Sequence, residues 1–146
     1  INIPNSIYDD IRQSKICLNF LDKIKSINFD LIGISFVQNE KILNIIKNKF
    51  IKHLIVSKIE NSEGIKNIEK IIEYSDIIMI DRGDLAAEIG DEGLFDSIVH
   101  VFNECKKNGT PLILATENLG SMINRESPAK SEVISLDLIN KEIVGA

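Results

Sequence analysis

Four polar residues whose types could do chemistry each follow a short apolar segment of the chain: Lys58, Glu60, Asp84 and Thr116. Carboxylates such as Glu60 and Asp84 are hard oxygen ligands of the kind that Mg²⁺ or Mn²⁺ favours, with water and substrate oxygens completing the octahedron. A lysine beside such an ion can stabilise negative charge on a transferring phosphoryl group or an enolate. These residue types therefore predict a site for a divalent cation with Lys58 next to it.

The apolar segments before these residues predict parallel β-strands. They are short, rich in Ile, Leu and Val, and bounded by polar or turn residues, which is typical of strands buried on both faces. Because ligands bind at the carboxyl ends of parallel strands, the polar residues are expected to converge at one edge of the sheet. The predicted strands cover residues 31–36, 54–58, 77–80 and 112–115.

Helical periodicity between the strands predicts the remaining elements. Helices are expected over about 8–26, 39–50, 62–74, 91–107 and 129–143, and a longer connection with a turn is expected over 81–90. Gly109 is predicted to end its helix in a left-handed cap. Strand and helix alternation predicts a parallel sheet with right-handed crossovers, in either a doubly wound sheet or part of a closed barrel.

Composition limits the possible functions. The chain has 146 residues, about one domain, and is short for a complete barrel of roughly 200 to 250 residues. A net charge of -5 with scattered lysines argues against general nucleic-acid binding, and no apolar run is long enough to span a bilayer. Small molecules or proteins are the expected partners. Cys17 and Cys105 have no CxxC or histidine cluster beside them, which predicts buried free thiols in a reducing compartment.

Simpler structural roles compete with the chemical ones at each candidate. Lys58 and Glu60 could form a solvated ion pair at the rim of the sheet. Asp84 could cap a turn, and Thr116 is a good strand residue. The chain also lacks the glycine-rich nucleotide motifs GxGxxG and GxxxxGKS. Convergence of the strand ends is therefore the main argument for a site.

Several segments resemble pyruvate kinase in order and spacing across nearly the whole chain. The family's serine-lysine-isoleucine-glutamate-asparagine run is similar to residues 57–61, with Gly64 following. Its strand and turn ending in arginine-glycine-aspartate-leucine is similar to residues 79–85, and its alanine-threonine segment with a serine-methionine end is similar to residues 115–122. Ile34-Ser35-Phe36-Val37 matches an earlier strand end.

The resemblance implies the fold and the roles of the site residues. It implies a (β/α)₈ barrel, of which this chain would supply about four strand-helix units. Lys58 would stabilise the phosphoryl group in flight from phosphoenolpyruvate to ADP, and Glu60 and Asp84 would hold Mg²⁺ or Mn²⁺. The backbone amides of Gly83 and Asp84 would receive the substrate carboxylate at a short helix N-terminus, and Thr116 would assist protonation of the enolate carbon.

The resemblance also implies partners and a location. These are phosphoenolpyruvate or pyruvate, ADP or ATP, a cytoplasmic setting and a homo-oligomer. A K⁺ ion is also implied, with ligands mostly outside this chain. Residues 1–146 would form part of the catalytic barrel, without the family's lid and C-terminal domains. The chain is therefore expected to be completed by the rest of a longer protein or by a partner.

Departures from the family pattern leave two other hypotheses open. Asp81 replaces a small alanine and adds negative charge beside the substrate pocket; Gln38, Asn118 and Gly120 also differ from the pattern. One alternative is a lyase or aldolase that uses a similar acidic metal site on an enolate without a nucleotide. The other is a non-catalytic relative that keeps the fold as an interaction domain, which Asp81 and Gly120 favour.

Overall fold

Four parallel strands alternate with helices along the chain. The computed structural model describes residues 10–24, 27–116 and 118–143. In chain order the elements are α1 (Asp10–Ile24), β1 (Leu31–Ile34), α2 (Glu40–Lys49), β2 (Leu54–Ile59), α3 (Ser62–Lys66), α4 (Ile68–Glu73), β3 (Ile77–Asp81), α5 (Arg82–Ile89), α6 (Asp91–Asn108), β4 (Leu112–Ala115), a 3₁₀ helix (Gly120–Ile123) and α7 (Lys130–Ile143).

The strands lie in the order β1-β2-β3-β4, and every pair is parallel. A doubly wound sheet reverses its strand order at a switch point, whereas a barrel adds each strand beside the previous one. The helices α2, α4 and α6 contact one another in turn. This sequential order confirms the predicted segment of a (β/α)₈ barrel.

The core lies between the sheet and its helices. Alternate strand residues such as Ile34, Ile59 and Ile80 are buried against helical residues such as Leu43 and Ile71. The opposite face is more open: Leu31, Leu54 and Ile113 are 51%, 48% and 39% exposed. Lys58 lies on this second face, because it is four positions after Leu54 on the same strand. It also pairs in register with Met79, which in turn pairs with Ile113.

Helix ends follow the polar signals in the sequence. Asn39 and Asn61 cap α2 and α3, with their side chains accepting hydrogen bonds from the amides of Lys41 and Gly64 at 3.1 and 2.8 Å. Gly109 takes the predicted left-handed C-cap conformation after α6. Gly64 is required by close packing, because a Cβ atom there would lie 2.5 Å from the carbonyl oxygen of Val37.

The structure differs from the periodicity-based prediction most clearly in three segments. The first strand ends at Ile34, because Phe36 has φ of +53° and its amide turns toward Glu60. The helix predicted over 62–74 is divided at Asn67, which leaves helical geometry while its side chain binds the carbonyl of Gln38 at 2.9 Å. The connection predicted over 81–90 contains the helix α5, in agreement with the short helix that the family resemblance implied.

One cysteine prediction is confirmed. Cys105 is a buried free thiol, and burial, with a smaller contribution from Glu104, raises its pKa to about 12. Cys17 belongs to α1, but its side chain lies outside the described part of the structure. Among the residues that the structure describes, no helix combines the length and apolar character needed to cross a membrane.

Candidate active site

The end of β2 supplies Lys58 and Glu60. Two residues apart on an extended chain, their side chains project from the same face of the sheet. Lys58 Nζ forms an ion pair with Glu60 Oε1. The amide of Val37 donates to the carbonyl of Lys58 at 3.2 Å, so the chain after β1 is tied to β2 beside the site.

Glu60 is a fully buried carboxylate with a defined orientation. Its exposed fraction is 0%, and its Oε2 accepts a hydrogen bond from the amide of Phe36 at 2.6 Å. A buried charge is costly unless it is paired and hydrogen-bonded, and Lys58 and the Phe36 amide provide that compensation. The ion pair between Lys58 and Glu60 is therefore largely buried, unlike the solvated ion pair that was the simpler structural interpretation of these two residues.

Asp81 ends β3 and joins three strands of the sheet. Its Oδ2 lies 3.3 Å from Lys58 Nζ on β2, and its Oδ1 accepts a hydrogen bond from Thr116 Oγ1, after β4, at 3.0 Å. The residue is 9% exposed. A position that differs from the family pattern thus lies in direct contact with two of the predicted site residues.

Charge pairing controls the protonation of Lys58 and Asp81. Burial alone would lower the pKa of Lys58, but Glu60 and then Asp81 outweigh it, so the pKa is raised. Burial alone would raise the pKa of Asp81, but the hydrogen bonds from Thr116 and then from Lys58 outweigh it, so the pKa is lowered. Both side chains are therefore ionised at neutral pH.

Thr116 is held in an unusual backbone conformation. Its φ is +62°, in the left-handed region that β-branched residues rarely adopt. Its hydroxyl oxygen accepts a hydrogen bond from the amide of Gly83 at 3.0 Å, and its one proton faces two acceptors, Asp81 Oδ1 at 3.0 Å and the carbonyl oxygen of the preceding residue at 2.7 Å. Arg82 Nε donates to the carbonyl of Thr116 at 3.2 Å, and its Nη2 donates to Asn118 Oδ1 at 2.6 Å. These contacts fix the hydroxyl and the main chain together.

Asp84 completes a group of three carboxylates with Glu60 and Asp81. It lies in the first turn of α5, and one oxygen from each residue lies within 4.8 Å of the others. Octahedral Mg²⁺ holds oxygen ligands at roughly 2.0–2.1 Å, so oxygens with this spacing can reach a common ion after small side-chain movements. The all-oxygen donor set and its excess negative charge fit Mg²⁺ or Mn²⁺.

All the predicted site residues lie in this region. Lys58 and Glu60 are in direct contact, Asp84 belongs to the carboxylate group, and Gly83 is hydrogen-bonded to Thr116. Sequence reasoning missed three contributors: Asp81 as a member of the group, Arg82 as a support for Thr116, and the Phe36 amide as a partner of Glu60. A carboxylate at the last position of a strand was the available signal for Asp81. No sequence pattern indicates the turned amide of Phe36.

Comparison with known proteins identifies similar sequences. Residues 14–146 match the family model described as pyruvate kinase, barrel domain. A pyruvate kinase from Dictyostelium discoideum is 38% identical over 125 residues, which is 82% of this chain and 24% of that protein. The pyruvate kinase PKLR from Rattus norvegicus is 35% identical over 152 aligned positions, covering 100% of this chain and 26% of that protein.

A third relative comes from a plant. The probable pyruvate kinase, cytosolic isozyme, of Arabidopsis thaliana is 36% identical over 120 residues, covering 80% of this chain and 24% of that protein. The chain thus spans about a quarter of the length of these curated relatives.

Proposed function

Since this chain belongs to the pyruvate kinase family, we propose that the intact protein transfers a phosphoryl group from phosphoenolpyruvate to ADP, giving pyruvate and ATP. The observation that carries the proposal is the grouping of Lys58, Glu60 and Asp84 at one edge of the parallel sheet. Catalysis of phosphoryl transfer depends mainly on positioning and on stabilising negative charge. An ammonium group among carboxylates that suit Mg²⁺ meets both needs.

Lys58 is the residue proposed to stabilise the phosphoryl group in flight. Its ammonium is held by Glu60 and by Asp81, and its raised pKa keeps it charged at neutral pH. A cation fixed in position before the reaction lowers the energy of the charged transition state without reorganisation. Lys58 is 23% exposed, so it remains accessible to substrate oxygens.

Glu60 and Asp84 are the residues proposed to hold Mg²⁺ or Mn²⁺. Glu60 is fixed by the Phe36 amide, and Asp84 is fixed by its place in the first turn of α5. When bound, the ion would act as a Lewis acid that offsets negative charge on the substrate oxygens. A K⁺ ion is also proposed, with ligands mostly outside this chain.

Gly83, Asp84 and Thr116 are proposed to bind the rest of the substrate. The amides of Gly83 and Asp84 lie in the first turn of α5, where the helix dipole favours an anion such as the substrate carboxylate. The Thr116 hydroxyl, held by its neighbours, would lie beside the enolate carbon and assist its protonation.

The partners and location follow from the same family membership. Phosphoenolpyruvate or pyruvate and ADP or ATP are the proposed ligands. The intact protein is proposed to be cytoplasmic, as the name of the Arabidopsis relative suggests, and to form a homo-oligomer. The partial barrel would be completed by the rest of a longer chain.

A non-catalytic relative is the second candidate, and Asp81 is the observation that favours it. Its carboxylate engages both Lys58 and Thr116, the two residues proposed to act on the substrate. An interaction domain of this kind would keep the fold without forming pyruvate.

Release of pyruvate from phosphoenolpyruvate by the intact protein tests these candidates. We expect release that requires ADP and Mg²⁺, and a fall in kcat of at least about 100-fold in Lys58→Met, as for loss of other electrostatic catalysts. Lys66→Met, which changes an exposed lysine on α3, should keep the wild-type rate. If Lys58→Met does not fold, Lys58→Arg takes its place. This variant keeps the positive charge but changes the position of the donor groups, so we expect it also to lower kcat.

Other outcomes would contradict the proposal. Pyruvate release without ADP would favour a lyase or aldolase instead. No pyruvate release at all would favour the non-catalytic candidate. An unchanged kcat in a folded Lys58→Met variant would remove the role proposed for Lys58.

A further inference from the structure

Asp81 contacts the groups that the proposed function assigns to the substrate. Lys58 Nζ lies 3.3 Å from its Oδ2, and Thr116 Oγ1 donates to its Oδ1 at 3.0 Å. An ammonium and a hydroxyl are thus directed at one side chain.

Both of these donors suit an anionic ligand. Hydrogen bonds from ammonium groups to carboxylate or phosphate are stronger than neutral ones. The carboxylate of Asp81 offers the same oxygen atoms as the carboxylate of a small anionic substrate. Its position after β3 therefore lets it satisfy donors that a substrate would otherwise satisfy.

We propose that Asp81 is a specificity-determining residue that competes with the anionic groups of the substrate for Lys58 and Thr116. The inference rests on the proposed function, because that function assigns these donors to phosphoenolpyruvate. It predicts that the chain binds anionic substrates less tightly than the same site with a neutral residue at position 81.

Two physical effects weaken substrate binding. First, the substrate must break the contacts of Asp81 with Lys58 and Thr116 before it can make its own. Second, the carboxylate stays in the site as a like charge that is 9% exposed, so water screens it poorly. Like charges placed together weaken binding, here by an expected factor of at least about ten in affinity.

Isothermal titration of the intact protein with phosphoenolpyruvate and with oxalate, at saturating Mg²⁺, tests the inference. We expect Asp81→Ala and Asp81→Asn to lower the Kd of both ligands by at least about tenfold. Glu73→Gln, which removes an exposed carboxylate from the end of α4, is the matched control and should leave both Kd values unchanged. A gain in affinity cannot result from misfolding.

Kinetics supply a second measurement. The Asp81 variants should lower the KM for phosphoenolpyruvate more than they change kcat, because the competition acts on substrate binding. A residue that serves only the fold would instead lower thermal stability with no gain in affinity. Both neutral variants should gain affinity, since both remove the negative charge, and Asp81→Ala should gain at least as much as Asp81→Asn because it also removes the acceptor oxygens.

The outcomes separate this inference from the proposed function. Unchanged or weaker binding in both Asp81 variants, with wild-type binding that requires Mg²⁺ and is lost in Glu60→Gln, would overturn the inference alone. Absence of Mg²⁺-dependent binding in the wild type and in both variants would overturn the inference and the proposed function together.

Discussion

The amide of Phe36 donates a hydrogen bond to Glu60 Oε2 at 2.6 Å, joining the chain after β1 to the end of β2. Phe36 reaches this position with φ of +53°, a conformation that ends the first strand two residues earlier than the sequence predicts. One oxygen of Glu60 is thereby fixed by the main chain while the other faces Lys58. The relationship explains how a fully buried carboxylate keeps one orientation in the site.

Thr116→Val tests the role of the Thr116 hydroxyl. The substitution keeps the branched shape but removes the group that links Gly83 to Asp81. We expect kcat for pyruvate formation to fall about 100-fold, as for the loss of other groups that assist proton transfer, and Thr116→Ser to retain most of the rate.

A second threonine provides the control for this variant. Thr110→Val changes a threonine between α6 and β4 and should not affect the rate. Equal rates for Thr116→Val and the wild type would rule out a part for the hydroxyl in the reaction.

The fold and much of the site could be predicted from the sequence, because strand ends in a parallel sheet place their polar residues by topology alone. Lys58, Glu60 and Asp84 needed only the strand limits and the parallel order to be brought together. Asp81 was noticed in the sequence, but its bonds to Lys58 and Thr116 depend on side-chain geometry across three strands.

Other features depended on contacts far apart in sequence. Asn67 breaks a helix because its side chain binds the carbonyl of Gln38, 29 residues away.

The helix α5 has a weak amphipathic pattern with Leu85 as its buried residue, so periodicity did not reveal it. Its alanines and the acidic residue in its first turn are the signals that could have predicted it.

Cys105 should be almost inert toward alkylation in the folded protein. Burial raises its pKa to about 12, so at pH 8 its thiolate fraction is about 1,000-fold smaller than that of an ordinary thiol. Iodoacetamide labelling followed by peptide mass spectrometry measures this thiol separately from Cys17. Labelling in denaturant is the control and should be rapid. Rapid labelling of Cys105 under native conditions would show that the helix α6 does not keep it buried.

Glu132 should make stability depend on pH near the start of α7. Its pKa is lowered from 4.5, first by the hydrogen bond from the Ser121 hydroxyl and then by the amides of Ser121 and Ala129. A carboxylate with a lowered folded-state pKa adds stability above its ordinary pKa, and that stability is lost as the pH falls through the lowered value. Glu132→Gln should therefore lower the Tm at neutral pH.

The difference in Tm between the wild type and Glu132→Gln should shrink as the pH falls below the ordinary value of 4.5. Glu126→Gln, at an exposed position in the loop before α7, provides the comparison and should show little effect at any pH. A Tm difference for Glu132→Gln that stays constant with pH would contradict the contribution of the charged carboxylate.

Binding of Mn²⁺ alone to the intact protein, followed by isothermal titration or electron paramagnetic resonance, tests the central claim most directly. That claim is that Glu60 and Asp84 hold a divalent cation beside Lys58. Glu60→Gln and Asp84→Asn should each weaken binding at least about tenfold, since each removes a charged oxygen ligand, whereas Glu73→Gln should not. Equal Mn²⁺ affinity in the wild type, Glu60→Gln and Asp84→Asn would contradict the account.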